Sequence, residues 1–178
     1  ILINHRLKLQ GHFHIVIQAI QSLLYCLFIP SFTGTNNSTK IHSFPPWITA
    51  GTGTGTGSLG AAHARVFIRL LTLICDPSVS AVSRPSSSSL NSATKKAKAL
   101  AGQHMPFVLS AYIRAQLDMS LIMKQEIRET LVPGWYAIFD TMTVEGRKAL
   151  GEGMDASGRA ILSGLVKDWL RFGKWNGT

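Results

Sequence analysis

The sequence predicts an all-α fold made of antiparallel helix pairs with solenoid character. Apolar residues recur at helical spacing in several segments, and proline, glycine and serine separate these segments. No segment shows the strict apolar–polar alternation that is typical of a half-buried strand. With 178 residues, 46% of them hydrophobic, the chain is long enough to form one domain with its own core.

The first helix is predicted over residues 13–28, within an opening segment of residues 1–30, and it ends before Pro30. Its inner side is predicted to consist of Val16, Ile20, Leu23, Leu24 and Leu27. The apolar run has nearly the length of a membrane span and follows Arg6 and Lys8, so a small membrane-anchored protein is the alternative. Polar side chains inside the run favour a helix buried in protein, which makes a membrane partner the weaker interpretation.

Residues 31–60 are interpreted as a disordered low-complexity loop or an insertion, because they combine Pro45-Pro46 with a Gly-Thr repeat. The end of this segment, Gly55-Thr-Gly-Ser-Leu-Gly60, matches the dinucleotide-binding pattern G-x-G-x-x-G. That fingerprint requires a preceding hydrophobic strand in a βαβ unit, which the sequence does not offer. We therefore expect no cofactor here.

Residues 61–178 are predicted to form a helical C-terminal domain that contains a serine-rich linker at 78–92. The second helix covers residues 61–74, before Asp76-Pro77, and its predicted inward residues are Val66, Leu70, Leu73 and Ile74. Asn91 or Ser92 is expected to cap a third helix. A fourth begins at Pro106, and its predicted apolar side consists of Val108, Leu109, Tyr112, Ile113 and Leu117.

Three short helices are predicted over residues 121–131, 133–142 and 144–150, and a long terminal helix follows them. Asp155 or Ser157 is expected to cap the terminal helix, and Gly173 is expected to end it in a left-handed conformation. The apolar stripe of this helix is predicted to contain Ile161, Leu165, Trp169 and Phe172, with Leu162, Val166 and Leu170 alongside.

Positive charge is concentrated in the first half of the chain. Residues 1–98 contain nine Lys and Arg against Asp76 alone, and residues 99–178 contain nine basic and eight acidic residues. Most of the net charge of +9 therefore lies before residue 99, which favours a polyanionic neighbour, either RNA or an anionic membrane. The densest cluster comprises Lys95, Lys96 and Lys98, although lysines that merely solvate a helix face would have the same pattern.

The end of the chain combines basic and aromatic residues that could stack on bases and pair with phosphates. Trp169 and Phe172 lie on the apolar stripe, so we expect them to be core anchors, whereas Trp175 lies beyond Gly173. The candidate contacts to RNA or to a partner are therefore Lys95, Lys96, Lys98, Arg171, Lys174 and Trp175.

No motif indicates catalysis or metal binding. Cys26 and Cys75 stand alone, without a C-x-x-C pair. His12 and His14 are two residues apart, so in a helix they point in different directions. A G-x-S-x-G motif is lacking, and no pair of carboxylates is forced together by spacing. We predict that the protein is not an enzyme and has no catalytic residues, no metal, no cofactor and no small-molecule substrate.

Four blocks, in order, resemble the C-terminal domain of the fungal nucleolar 27S pre-rRNA processing family, the "unhealthy ribosome biogenesis protein two" type. They are residues 11–28, 69–80, 131–140 and 157–175. The resemblance implies a non-catalytic helical scaffold of large ribosomal subunit biogenesis, located in the nucleus and nucleolus, that supports 27S pre-rRNA processing. The partners that it implies are pre-60S assembly factors and precursor rRNA, contacted directly or indirectly.

Overall fold

The computed structural model describes residues 10–30, 59–76 and 89–173 of the chain. The helices in these ranges are α1 (Phe13–Tyr25), α2 (Ala61–Cys75), α3 (Ser89–His104), α4 (Pro106–Leu117), α5 (Gln125–Thr141), α6 (Val144–Glu152) and α7 (Ala156–Phe172). A 3-10 turn, Gln10–His12, precedes α1. The predicted all-α class is confirmed, while the solenoid character stays a prediction.

Two strands of two residues each also occur, which the sequence did not indicate. β1 (Ile29–Pro30) pairs antiparallel with β2 (Leu121–Ile122), with Ile29 opposite Ile122. Strands this short cannot show an alternating pattern, so they leave no periodic signal in the sequence. The pairing ties the chain after α1 to the chain after α4.

Helix α1 ends three residues earlier than predicted, at Tyr25, although Leu27 and Phe28 that follow it are still buried. Four of the predicted inward residues are buried, but Leu23 is 51% exposed, so that part of the prediction is wrong. Phe13 and Ile17 take part in the core instead. Within the described ranges, no helix has both the length and the apolarity that crossing a membrane requires.

Helix α2 has a different register from the predicted one. Val66 is 71% exposed, and the buried side consists of Ala64, Phe67, Leu71, Ile74 and Cys75. Leu70 and Leu73 are only half-buried. The prediction gave weight to large aliphatic residues, whereas the true inner side includes a small Ala and a Cys that let the neighbouring helix approach closely.

Helix α5 is continuous where two helices were predicted, and Pro133 lies inside it. A proline in a helix removes one hydrogen bond and costs about 3 kcal/mol. Burial on the opposite side offsets this cost, because Leu131, Trp135, Ile138 and Phe139 are all fully buried. The local breaker signal at Pro133 is therefore overridden by tertiary packing.

Helices α2 and α5 pack closely and run in the same direction. A Cβ on Gly60 would lie 3.8 Å from Oε1 of Glu126, near the start of both helices. In the middle, a Cβ on Gly134 would meet the side chains of Ile68 and Leu71. The predicted antiparallel arrangement therefore does not apply to this pair of non-consecutive helices.

Helix α3 begins at Ser89, slightly before the predicted caps, and α4 begins at Pro106 as predicted. Helix α6 is capped by Thr143, whose hydroxyl accepts a hydrogen bond from the Gly146 N–H at 3.0 Å. None of the α6 residues is fully buried. The helix therefore lies at the edge of the structure, between α5 and α7.

Helix α7 begins as predicted, because the Asp155 carboxylate accepts a hydrogen bond from the Gly158 N–H at 2.8 Å. Its end differs, since Gly173 has φ −67° and ψ −31° and is not left-handed. A Cβ there would meet the Trp169 ring, which gives this glycine a packing role. Trp169 is buried as expected, but Phe172 is 52% exposed and is not a core anchor.

Several predicted features lie outside the described residues. They are residues 31–58 of the predicted loop, residues 77–88 of the predicted linker, and Lys174 and Trp175 at the end of the chain.

Candidate nucleic-acid interface

The net positive charge of the described residues lies entirely on α2 and α3. These two helices, with the C-cap of α2, contain five cations and one anion, Asp76, which gives a charge of +4. Residues 105–173 contain eight basic and eight acidic side chains, and residues 10–30 contain none of either sign. Because α2 and α3 contact each other, the excess charge is confined to one part of the surface.

The outer side of α2 presents a row of polar residues. Arg65, Arg69, Thr72 and Asp76 follow the spacing i, i+4, i+7 and i+11, which stacks side chains along one side of a helix. Arg65 and Arg69 are both exposed. The buried positions of α2 fix this orientation, since they hold the opposite side of the helix against α5.

The row continues onto α3 through an ion pair. The Lys98 ammonium lies 3.4 Å from Oδ2 of Asp76, and their side chains are 46% and 35% exposed. Lys95 is one turn before Lys98 and lies on the same side of α3. Lys96 is also exposed but is rotated by roughly 160° from Lys98, because each residue turns a helix by about 100°.

The helix that carries the lysines, α3, is fixed by buried residues on its other side. Ala97, Leu100 and Ala101 of α3 are buried in the core. Gly102 lets α3 approach the end of α5, where a Cβ at position 102 would collide with the Thr141 carbonyl oxygen. The small residues therefore fix the position of the charged side of α3 relative to α2 and α5.

Most of these cations have no counterion among the described residues. Within the described parts of the chain, neither Arg65 nor Arg69 forms a salt bridge, and neither do Lys95 and Lys96. Exposed cations that are not neutralised inside the protein can pair with an external anion at little desolvation cost. The predicted lysine cluster is thus exposed, and two arginines extend it on the α2 side.

Sequence reasoning missed Arg65 and Arg69 as candidate contacts. The sequence did contain a signal for them, because Arg65, Arg69 and Asp76 are spaced at i, i+4 and i+11 and therefore share one side of a helix. What joins them to the lysines is the contact between Lys98 and Asp76, which are 22 positions apart. Such a contact depends on how α2 and α3 pack, which no local pattern reveals.

The other candidate contacts lie at the end of α7. The Arg171 guanidinium lies 5.2 Å from the centre of the Phe172 ring, and both side chains are exposed. Among the described residues, no salt bridge joins Arg171 to the helix that carries the lysine cluster. Lys174 and Trp175 continue the chain beyond the described region.

Trp169 serves the core and not the surface. Its indole N–H donates a hydrogen bond to Oδ1 of Asp140 at 2.9 Å, and its ring lies 5.6 Å from that of Phe139. The Arg147 guanidinium lies 5.0 Å from the Trp169 ring centre. Trp169 therefore joins α5, α6 and α7, which confirms its interpretation as a core anchor.

Cys75 has the properties of a buried structural thiol, whereas Cys26 is only half-buried. Burial in the core, with smaller contributions from Asp140 and Asp76, raises the pKa of the Cys75 thiol to about 12. Such a thiol is almost fully protonated at neutral pH and is a poor nucleophile. Among the described residues, no group of three or more His, Cys, Asp or Glu side chains is placed to hold a metal ion.

A groove of about 350 Å³ lies between α4 and the start of α7. Apolar side chains line it together with Arg114, Asp118 and Asp155. Both carboxylates have local partners, because Asp155 caps α7 and Asp118 accepts hydrogen bonds from the backbone and hydroxyl of Ser120. The groove thus offers a contact surface that is partly apolar, beside two carboxylates that accept local hydrogen bonds.

Comparisons with known proteins place these features in context. The chain matches the model of the Urb2/Npa2 family over residues 1–178. It is 24% identical over 178 residues to the probable nucleolar pre-ribosomal-associated protein 2 of Schizosaccharomyces pombe. The match covers 99% of this chain but 13% of that relative, so the chain spans a small part of the relative's length. No solved structure matches the chain.

Proposed function

The chain belongs to the Urb2/Npa2 family, and from this premise we propose that it is a non-catalytic helical scaffold of large ribosomal subunit biogenesis. Family membership confirms the resemblance that the four sequence blocks indicated. The proposed location is the nucleolus, in keeping with the name of the S. pombe relative. The proposed process is 27S pre-rRNA processing, which the resemblance of the four sequence blocks implies.

The basic surface of α2 and α3 is the observation that carries the proposal. These two adjacent helices have a charge of +4, and four of their cations form no salt bridge within the described part of the chain. Such a surface suits the backbone of precursor rRNA. Lys95, Lys96 and Lys98 are the proposed RNA contacts. This assigns them a positioning role, because contacts to phosphate orient a protein on RNA without reading its bases.

A second set of contacts is proposed for pre-60S assembly factors. Leu170 and Phe172, near the end of α7, are exposed apolar side chains on either side of Arg171 in the sequence. An aromatic ring and an arginine together are frequent anchors in protein interfaces. Lys174 and Trp175 extend this set in the sequence. The apolar groove between α4 and α7 is the proposed seat for a helix of such a partner.

The proposed absence of catalysis has support in what the polar groups already do. Asp155 caps α7, Asp140 accepts the Trp169 hydrogen bond, and Asp76 pairs with Lys98. The Cys75 thiol is buried. Each group therefore has a structural role that would compete with proton transfer or nucleophilic attack.

The experiment that tests the proposal follows the protein in cells. A tagged copy should locate to the nucleolus and sediment with large-subunit precursors, and crosslinked RNA should map to the 27S precursor. Depletion of the protein should cause the 27S species to accumulate. Sedimentation with small-subunit precursors, or location outside the nucleolus, would contradict the proposed function.

The lysine contacts are tested in the same assay. The triple variant Lys95→Gln, Lys96→Gln, Lys98→Gln should reduce crosslinking to precursor RNA evenly across sequences, because phosphate contacts do not distinguish bases. A Lys148→Gln variant is the control, since Lys148 is an exposed cation on α6 that pairs with Glu152. Equal crosslinking by the triple variant and the wild type would show that these lysines only solvate the surface of α3 and do not contact RNA.

A further inference from the structure

We propose that Arg65, Arg69, Lys95 and Lys98 form a phosphate track that binds the backbone of double-stranded RNA without reading its sequence. The inference rests on the proposed function, since it names the class of RNA that the basic surface would take. It adds two arginines to the contacts and assigns Asp76 a limiting role.

The track has a length that suits a duplex. Position 65 lies about 16 Å from position 76 along α2, because each residue adds about 1.5 Å to a helix. Lys98 lies next to Asp76 at the end of this row, and Lys95 is one turn away on the same side of α3. Over such a length a nucleic-acid duplex presents on the order of ten phosphate charges. Four cations can therefore each meet a phosphate.

Among the described residues of α2 and α3, no exposed Phe, Tyr or Trp lies beside the track. Proteins that bind single strands stack unpaired bases on exposed aromatic side chains. On α2, Phe67 is buried, and the exposed ring belongs to His63. His63 is rotated by roughly 160° from Arg65, and its Nδ1 accepts a hydrogen bond from the Gly60 N–H at 3.2 Å. The track thus offers charge without stacking, which favours a duplex.

The chemistry of the two ends of the track differs. Arg65 and Arg69 each present a planar fork of N–H donors that can hold two oxygens of one phosphate. Lys98 offers a point charge that already has Asp76 as a partner. Because both side chains of this pair are well solvated, the pair is weak and a phosphate can compete for Lys98.

Asp76 sets a limit on the affinity of the track. Its carboxylate lies between the arginines of α2 and the lysines of α3, where it repels phosphate and shares Lys98. The Asp76→Asn variant should therefore bind duplex RNA up to about fivefold more tightly, which corresponds to the upper range for an exposed ion pair. Weaker binding by a folded Asp76→Asn variant would contradict this role.

The decisive experiment measures binding of the 178-residue chain to RNA by fluorescence anisotropy at several salt concentrations. The probes are a duplex of about 16 base pairs, a second duplex of scrambled sequence, and the single strand of each. Both duplexes should bind alike, and at least about tenfold more tightly than the single strands. Four phosphate contacts predict a slope of log K against log salt near −3.6, which means about a 150-fold loss of affinity between about 50 and 200 mM salt.

The variants locate the contacts. The double variant Arg65→Gln, Arg69→Gln should lose about 1.8 units of slope, so its affinity should fall only about 12-fold over the same salt range. Lys95→Gln should lose about 0.9 unit. Lys148→Gln is the matched control, because it removes the same charge from an exposed lysine on α6, away from the track, and its slope should equal that of the wild type. Circular dichroism verifies that each variant is folded.

Two outcomes would overturn the inference. Single strands that bind as tightly as duplexes would exclude duplex recognition, and equal slopes for Lys148→Gln and the double arginine variant would exclude the track. Failure here is distinct from failure of the proposed function. A chain that sediments with large-subunit precursors but shows no duplex preference would refute the track alone, whereas duplex binding by a chain absent from those precursors would refute the cellular role alone.

Discussion

Helices α5 and α7 both contain 17 residues, yet they contribute very differently to the structure. Helix α5 contacts α2, α3, α4 and α7, and it buries seven residues, among them Trp135 and Phe139. Helix α7 contacts α4, α5 and α6 and buries Gly158, Leu162 and Trp169. The position of a helix among its neighbours therefore decides how much of it is buried, and helix length does not.

The two helices also differ in how much apolar surface they leave exposed. Helix α5 is enclosed enough to accommodate Pro133 without a break. Helix α7 has an open side, which leaves Leu170 and Phe172 exposed. If this comparison holds, equivalent substitutions should lower the free energy of unfolding more in α5, or in residues that pack on α5, than in α7.

The largest effect is expected from the two tryptophans. Trp135→Ala should lower the free energy of unfolding by about 5 kcal/mol, because the ring is fully buried and lies 4.4 Å from that of Tyr112. Trp169→Ala should cost about 3 kcal/mol, since this ring lies nearer the surface, although its hydrogen bond to Asp140 is also lost. Urea denaturation measures both values. A larger cost for Trp169→Ala would reverse the comparison.

A smaller effect is expected within α7 itself. The sequence placed Ile161 and Leu165 on the core stripe, but the structure buries Leu162 and leaves Ile161 and Leu165 half-buried. Leu162→Ala should therefore cost about 2–3 kcal/mol, while Leu165→Ala should cost about 1 kcal/mol. Thermal unfolding of the two variants tests the register. Equal melting temperatures would show that α7 is rotated relative to the structure described.

These registers show what the sequence could and could not predict. The starts of α4 and α7 were predicted correctly, because Pro106 and Asp155 act through their own backbone. The buried side of α2 was missed, because Ala64 and Cys75 become core residues only when α5 lies against them. Local signals thus predicted helix starts well and helix orientation poorly.

The same limit applies to the candidate site. The lysine cluster is contiguous in sequence, so it was found without a structure. Arg65 and Arg69 were missed because their connection to Lys98 passes through Asp76, across two helices. Likewise Lys95 and Lys96 look equivalent in the sequence, and only the buried side of α3 distinguishes their directions.

Two glycines provide a further test. Gly102→Ala should cost about 2 kcal/mol, since its Cβ would meet the Thr141 carbonyl oxygen, which cannot rotate away as a side chain would. Gly164→Ala in α7 should instead stabilise the protein by about 0.5–1 kcal/mol, because nothing lies within 4 Å of its Cβ and alanine is the better helix former. Melting curves of the two variants should shift in opposite directions. A shift in the same direction would show that α3 does not approach α5 so closely.

The smallest effects are expected from the ion pairs. Lys98–Asp76 joins α2 and α3 at 3.4 Å, whereas Lys148–Glu152 lies within α6 at 3.8 Å, with side chains 79% and 68% exposed. Double-mutant cycles should give a coupling of about 0.5–1 kcal/mol for the first pair and about 0.3 kcal/mol or less for the second. Both couplings should diminish as salt is added.

The size of the Lys98–Asp76 coupling also bears on RNA binding. A coupling below about 1 kcal/mol means that a phosphate can displace Asp76 from Lys98, because a charge-assisted hydrogen bond to phosphate is at least as strong. A coupling of several kcal/mol would instead hold Lys98 to Asp76, and the track would then end at Arg69 on the α2 side. The double-mutant cycle should therefore be measured at the same salt concentrations as the RNA titrations. If the Lys98–Asp76 coupling is weak, Lys98→Gln should lose the full slope of about 0.9 unit that one phosphate contact contributes.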